Sequence, residues 1–568
     1  MKILLTTLHA KYSHASLALP CLAAYCRNIP GVSVVIREWT TNEPREQLLR
    51  HIMSEQADVV AFSCYIWNIE KTLRIASDIK KIVPDTRIAL GGPEVSYNIF
   101  ELMHDNPAID FVIKGEGERV FQLLTTTLVK HGGSNLLERS LAEIGNLYYR
   151  DGDDITSGPL SKHFVDLDSI PSPFDAGLVD LKKPLVYYET SRGCPFSCAF
   201  CLSSTEGHVR SFGMERIKSD LALLMRHNIA NIKLVDRTFN FDTQRANDIW
   251  EFILEHNRDS HFHFEISADL LTEDNLKLLK RVPPNMFRFE IGVQSASETT
   301  LLRVGRKANL GRIFDAVRRL RSETDIELHL DLIAGLPGED FTGFLASLRA
   351  VADLDPDMIQ IEPLKVLKGS AMREIASRDD YHFSGFPPYT ILRNPWLKFA
   401  DISRIETIGR LLDLFYNHGS FSAALRLLRR TIDTASLLDR MARQAGNDNL
   451  SGLSTRRTYE LFARLAEPLV DDATRRLLND ALFFDYCRQE MPLMGKLPSF
   501  VAERQNECAW PGPRELPAHL GVPADSRVKA FRCTFLKDYR HEEWKNGVVG
   551  ITFVYVSGAG RGLQVTVV

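Results

Sequence analysis

The sequence predicts an α/β chain in three parts: a doubly wound parallel sheet, a partial (β/α)6 barrel, and a mostly helical region with a short β end. Three observations carry this. Short apolar runs alternate with amphipathic segments over the first 130 residues. The alternation resumes at Leu185 with a longer repeat, giving six strand-helix units by about residue 375. From about Ser403 the pattern turns helical.

In the first part "MKILLTTL", "SVVIREW", "DVVAFSCYIW", "RIALGGPEV" and "DFVIKGEGE" read as strands, the last two running straight into glycines. "SLALPCLAAYCRNI" and "RIASDIKKIV" supply helices between them. Near-continuous apolar strands separated by amphipathic helices indicate a parallel sheet covered on both faces. This domain is placed at 1–130. The turn-rich stretch 131–182, from "HGGSNLLERS" to "DSIPSPFD", reads as a linker with a small hairpin. "LVYYETS", "IKLVDRTF", "FHFEIS", "MFRFEIGVQ", "IELHLDLIAG" and "MIQIEPLKV" are the barrel strands of 183–402, and in such barrels the chemistry sits at the strand carboxyl ends. Residues 403–568 form the helical region, with a proline- and glycine-rich run before the strand-like "VVGITFVYVSG".

A chain of 568 residues exceeds one core, and 44% hydrophobic with 25% charged residues is an ordinary globular balance. The net charge of -4 argues against a protein built to coat nucleic acid or an acidic membrane. The start resembles a signal peptide only superficially, because its apolar run breaks at Thr6 and Thr7, with His9, Lys11 and His14 following. No stretch reaches the roughly 18 apolar residues of a membrane span. The expected compartment is the cytoplasm, where clustered cysteines point to a metal or redox site rather than disulfides.

"SRGCPFSCAFC" places Cys194, Cys198 and Cys201 at C-x3-C-x2-C directly after the first barrel strand. Three thiolates on a tight loop hold three irons of a cubane cluster and leave the fourth without a protein ligand, where a ferredoxin run would add a fourth cysteine. Zinc and three chance neighbours are the alternatives. Structural zinc prefers four ligands in paired knuckles, and His208 lies outside that spacing. No catalytic residue is assigned beyond the cluster.

With Phe200 at the aromatic position, the motif resembles the signature of the radical S-adenosylmethionine superfamily. That resemblance implies a 4Fe-4S cluster whose open iron is chelated by S-adenosylmethionine and whose electron cleaves the sulfonium to a 5'-deoxyadenosyl radical. By the same resemblance Asp236 serves the methionine ammonium, with Glu265 and Ser267 at the mouth. Gln294 and Ser295 lie near the ribose, Arg306 near the methionine carboxylate, and Gly335 and Gly338 beside the adenine. A guanidinium suits a carboxylate in bidentate fashion.

The first domain resembles the cobalamin-binding domain of cobalamin-dependent radical enzymes. Ser63, Gly91, Gly92, Gly115, Glu116 and Gly117, at strand carboxyl ends, are implied to meet the corrinoid. No D-x-H-x-x-G occurs in residues 1–130, so the cobalt is expected without a protein histidine beneath it. Tyr65 and Trp67 either cover the lower corrin face or are core aromatics. The whole resembles a subgroup with its own uncharacterised C-terminal domain.

The implied activity is methyl transfer from methylcobalamin to an unactivated carbon. A radical cyclisation or rearrangement with cobalamin as helper, and a non-catalytic cobalamin or redox sensor, are the alternatives. An external donor such as flavodoxin or ferredoxin is implied as partner, with a small molecule or peptide as substrate rather than nucleic acid. Lys365 and Lys368 either orient an acidic substrate or are solvated surface lysines. Cys508 and Cys533 read as scattered small hydrophobes, with part of a substrate site as the alternative.

Overall fold

A computed structural model describes residues 1–11, 14–132, 136–161, 164–205, 207–446, 448–493, 496–512, 527–541, 543–544, 546–558 and 561–568. The first sheet contains β1 (Lys2–His9), β2 (Ser33–Thr40), β3 (Val59–Ser63), β4 (Arg87–Gly91), β5 (Phe111–Ile113), β6 (Leu147–Asp151) and β7 (Asp154–Ser157), in the order β2-β1-β3-β4-β5-β6-β7. The first five pair in parallel. Alternate residues feed two separate cores. Leu4, Val60, Phe62, Ile88 and Leu90 face one helical layer, while Ile3, Leu5, Val59, Ala61 and Ala89 face the other. That two-sided burial is why these strands read as unbroken apolar runs.

The sheet does not stop near residue 130. β6 and β7 form a hairpin that joins β5 antiparallel, Phe111 opposite Tyr149. Part of the expected linker is therefore an edge of the first sheet. Tyr148 and Tyr149 are buried in the sheet's two cores, and Gly152 at φ +58° makes the turn.

The barrel strands are β8 (Leu185–Tyr188), β9 (Asn231–Leu234), β10 (His261–Ile266), β11 (Phe287–Gln294), β12 (Glu327–Ala334) and β13 (Met358–Pro363), all parallel and in chain order. Their outward residues, such as Phe262, Phe264, Phe287 and Phe289, pack with Phe239 and Trp250 under the helices. Helix Thr243–His256 starts on an Asp242 cap and helix Phe341–Ala352 on an Asp340 cap.

Beyond the barrel lie helices Phe399–Phe415, Ser422–Leu428, Thr434–Ala445, Thr455–Ala466 and Asp472–Gln489, then an antiparallel sheet of β14 (Arg527–Lys537), β15 (Asn546–Gly558) and β16 (Arg561–Val567). The proline- and glycine-rich run before these strands falls partly on 513–526, outside the described residues. One apolar core runs from the barrel strands through these helices to Phe553. The open edge at β13 is covered: Asn417 accepts from Ile359 N at 2.9 Å and donates to Ile359 O at 3.0 Å.

Candidate active site

Just past β8, Ser191 and Arg192 bridge antiparallel to Ser211 and Arg210, closing the base of the loop that carries the three cysteines. The loop is pinned from both sides. Ala199 N donates to Val304 O at 2.8 Å, and Met372 N donates to Ala199 O at 2.9 Å. Cys194 and Cys201 are half-buried and Cys198 is buried. The Thr238 hydroxyl lies 3.5 Å from Cys194 Sγ. Burial lifts the Cys198 thiol, and Arg306 opposes the rise.

Arg306 crosses from the segment after β11 to this loop. Its Nη1 lies 3.6 Å from Cys198 Sγ and its Nη2 donates to Gly292 O. Gln294, at φ +72°, packs its amide beside Gly292. The fourth-strand segment thus brings Arg306 to the Cys198 sulfur, with Gln294 beside it at Gly292. Arg306 Nε is buried with no partner among the described residues. An unpaired donor beside three thiols fits an iron-sulfur cluster carrying an anionic ligand better than a closed zinc knuckle.

Other sequence-chosen residues are held by the protein itself. Asp236 is fully buried; it accepts from Thr190 N at 3.0 Å and from the Thr190 and Ser191 hydroxyls at 2.5 Å, and faces Arg245 Nη2 at 3.5 Å. It braces the start of the cysteine loop, and these bonds engage the carboxylate that the sequence reading assigned to the methionine ammonium. Ser267 donates to Asp269 at 2.6 Å, and Ser295 donates to Glu339 at 2.6 Å. Neither hydroxyl points free into the mouth. Gly335 (φ +100°) packs against Ile391, and Gly338 (φ +88°) against the Arg303 guanidinium. Phe200 packs against the barrel core.

Glu265 belongs to a polar barrel interior that the sequence reading missed. Lys233 sits 2.8 Å from Glu290 and 3.4 Å from Glu265, with His263 2.8 Å from Glu290 and His329 3.0 Å from Asp331. Burial raises the Glu265 and Asp331 carboxyls. Burial also works against the Lys233 charge, but Glu265 and Glu290 outweigh it and raise its pKa. His263, Glu290 and His329 bring ligand-type atoms within 4.8 Å of one another. Lys233 already supplies a cation there. The signal that finds this layer is period two: "HFHFE", "FRFE" and "ELHLD" place polar residues on the inward face of every central strand.

On the first sheet the switch point lies between β1 and β3, where ligands of open parallel sheets bind. Asn68 knits it, donating to Thr7 Oγ1, Leu8 O and Ser63 O at 3.1–3.2 Å. Above it Tyr65 and Trp67 stack at 4.4 Å and 4°, and Trp67 is 46% exposed. Trp67 is thus the exposed member of the pair, while Tyr65 is half-buried. Burial raises the Tyr65 phenol. Gly91 and Gly115 have open space over their Cα, and Gly117 touches only Leu22. Gly92 is different: a Cβ there would stand 2.5 Å from Cys64 O, so it serves the approach of β4 to β3.

Ion pairs join the two parts. Glu38 meets Lys183 at 2.9 Å and His9 at 3.2 Å; Glu94 meets Lys368 at 3.1 Å and Tyr389. Glu118 meets Arg192 at 2.6 Å, and Glu116 meets Arg210 and Arg192. Glu116 is thus a tie to the cysteine loop, in addition to the corrinoid role the resemblance implied. Lys368 is likewise taken, and Lys365 pairs with Glu362 at 2.8 Å.

Comparison with known proteins agrees with this architecture. Residues 3–125 match the family described as the B12 binding domain, 188–351 the Radical SAM superfamily, and 379–509 a protein family of unknown function, DUF4080. The chain therefore carries a B12-binding domain followed by a radical S-adenosylmethionine domain. Within that class it is of the kind that continues into a DUF4080 segment.

The cobalamin-dependent radical SAM methyltransferase TokK of Streptomyces tokunonensis is 24% identical over 60% of this chain and 51% of its own length. The chain thus spans about half of that relative. An uncharacterized methyltransferase of Pyrococcus horikoshii is 27% identical over 70% of this chain and 86% of its own. In fold, the chain is like the cobalamin-dependent S-adenosylmethionine radical enzyme OxsB, with a TM-score of 0.57 at 15% identity over 86% of this chain and 78% of that one.

Proposed function

We propose that this protein is a cobalamin-dependent radical S-adenosylmethionine enzyme that transfers a methyl group to an unactivated carbon of a small molecule or peptide. The observation that carries the reading is the junction itself. The loops after β4 and β5 are ion-paired to the cysteine loop and to the segment after β13, so the first sheet's ligand edge is fixed against the barrel mouth.

When bound, the cluster with S-adenosylmethionine would supply a 5'-deoxyadenosyl radical, and methylcobalamin the methyl group. Cys194, Cys198 and Cys201 would hold the cluster. Arg306, beside Cys198, would meet the methionine carboxylate with the N–H it leaves unpaired. Gln294 lies beside it. Tyr65 and Trp67 would face the corrin; His9 pairs with Glu38, and His14 stands edge-on to Tyr187 at 6.1 Å. Asp236 and Thr190 hold the cysteine loop in register, and the buried interior around Lys233 keeps that part of the barrel polar for substrate. An external low-potential electron donor and a cytoplasmic setting belong to the same proposal; no described helix is long and apolar enough to cross a membrane.

The test is incubation of the reduced, reconstituted protein with S-adenosylmethionine labelled in its methyl group, without added substrate. Release of 5'-deoxyadenosine together with label on the bound corrinoid supports the reading. Deoxyadenosine without corrinoid labelling would overturn methyl transfer, and neither product would overturn the radical assignment.

A further inference from the structure

The C-terminal region holds a chemistry that the proposed reaction does not use. Cys508 and Cys533, remote in sequence, have their sulfurs 2.7 Å apart. The backbone explains why. Ala509 and Arg532 form an antiparallel bridge with both N–H···O bonds at 2.8 Å, so they are a hydrogen-bonded pair. Their neighbours Cys508 and Cys533 then stand opposite each other at the next, non-hydrogen-bonded position. There side chains approach closest, and the Cα separation falls in the range a disulfide spans.

The surroundings distinguish the two thiols. Cys533 is 1% exposed at the centre of β14, whereas Cys508 is half-buried. Arg504 lies over Cys533 Sγ with Nη2 at 3.9 Å, and is itself held by Asp480 at 2.7 Å. The hydrogen bond from Cys508, helped by Arg504, lowers the Cys533 pKa. Cys487, the third thiol of the region, is fully buried on helix Asp472–Gln489 and burial raises its pKa. It has no bridge position facing it among the described residues.

We propose that Cys508 and Cys533 form a redox-active dithiol that closes to a cross-strand disulfide by exchange with a low-molecular-weight disulfide. Cys508 passes its proton to Cys533, and its accessible thiolate attacks the reagent, forming a mixed disulfide and releasing a thiolate that takes the proton from Cys533. The Cys533 thiolate then attacks the Cys508 sulfur, forming the protein disulfide and releasing the second thiol. Two cysteine thiols are oxidised, the reagent disulfide is reduced to two thiols, and the protons pass to them. The closed bond clamps the end of segment Ser499–Glu507 to β14, and reducing agents reopen it.

The experiment uses the full-length, cluster-loaded protein under anaerobic conditions, equilibrated in mixtures of oxidised and reduced glutathione, then quenched, unfolded, alkylated and peptide-mapped. Between the most reducing and most oxidising mixtures, alkylation at Cys508 and Cys533 should fall together by about tenfold or more. A linked peptide pair lighter by two hydrogens should appear, while Cys487 stays fully labelled. Cys508→Ser should leave Cys533 alkylatable in every mixture. Full labelling of both cysteines in the most oxidising mixture would overturn the proposal. So would a stable glutathione adduct at Cys508, or a bridge involving Cys487. Mapping the unsubstituted chain decides the matter even if the serine variant does not fold.

Discussion

Replacing Asp236 with alanine separates a bracing role from a ligand role. The carboxylate is fully buried and takes three hydrogen bonds from Thr190 and Ser191 while facing Arg245. Alanine leaves the Arg245 cation and two hydroxyls without their acceptor. Breaking a buried pair by removing one partner costs about 3–5 kcal/mol. Asparagine keeps the shape and one acceptor, so it should cost about 1.5–3 kcal/mol, the value of a hydrogen bond to a charged group. At 1.4 kcal/mol per tenfold, the alanine variant should speed amide exchange in β8 and β9 by roughly 140- to 3700-fold. Hydrogen-exchange mass spectrometry reads this strand by strand, with the first sheet as internal control. Iron retention should fall with it, because Thr190 and Ser191 lead into the loop of Cys194. Unchanged exchange combined with weakened S-adenosylmethionine binding would refute the brace and restore Asp236 as a ligand.

Three further outcomes are expected. Arg306→Ala should weaken S-adenosylmethionine binding about ten- to a hundredfold at constant iron content, measured by equilibrium dialysis. Arg303→Ala, whose guanidinium lies 5.6 Å over Trp396, should not, and equal effects would break the fourth-strand assignment. Trp67→Ala should lower corrinoid affinity about tenfold through the lost stacking face, read by retained corrinoid absorbance after gel filtration. Full retention would place the corrinoid elsewhere. Burial pushes the Asp485 carboxyl up to about 7, against its unfolded value of 3.8. Its ionisation therefore costs nothing below about pH 4, and the penalty grows as pH rises through 7, reaching roughly 4 kcal/mol at most. Asp485→Asn should then gain stability relative to the unsubstituted chain at pH 8 compared with pH 5 in denaturant titrations; a pH-independent difference would show that Asp485 ionises normally.

The strands of both sheets and the cysteine loop were legible because their signals are local. Apolar runs ending in glycine mark β4 and β5, and three thiols in eight residues mark the loop. The partners of the polar residues were not legible, since they arise from chain segments far apart: Thr190 and Asp236 are 46 positions apart, Ser295 and Glu339 are 44, and Glu116 and Arg210 are 94. A buried carboxylate at a strand end looks the same in sequence whether it waits for a ligand or holds a loop. The small hairpin expected in the linker is there, but its place in the first sheet was hidden for a related reason. Its short strands become sheet only through pairing with β5.

Asn417 gives the C-terminal segment a duty that no catalytic role explains. An amide side chain that both gives to and takes from Ile359 does for β13 what a seventh strand would do. Trim the protein after residue 398 and that rim is left bare, together with the apolar seat of Ile405 and Ile408. The trimmed barrel would then offer its open side to another copy of itself, and the expected product is precipitate rather than a smaller soluble unit. For anyone seeking a minimal version of this protein, the barrel and the helices behind it are a single purchase.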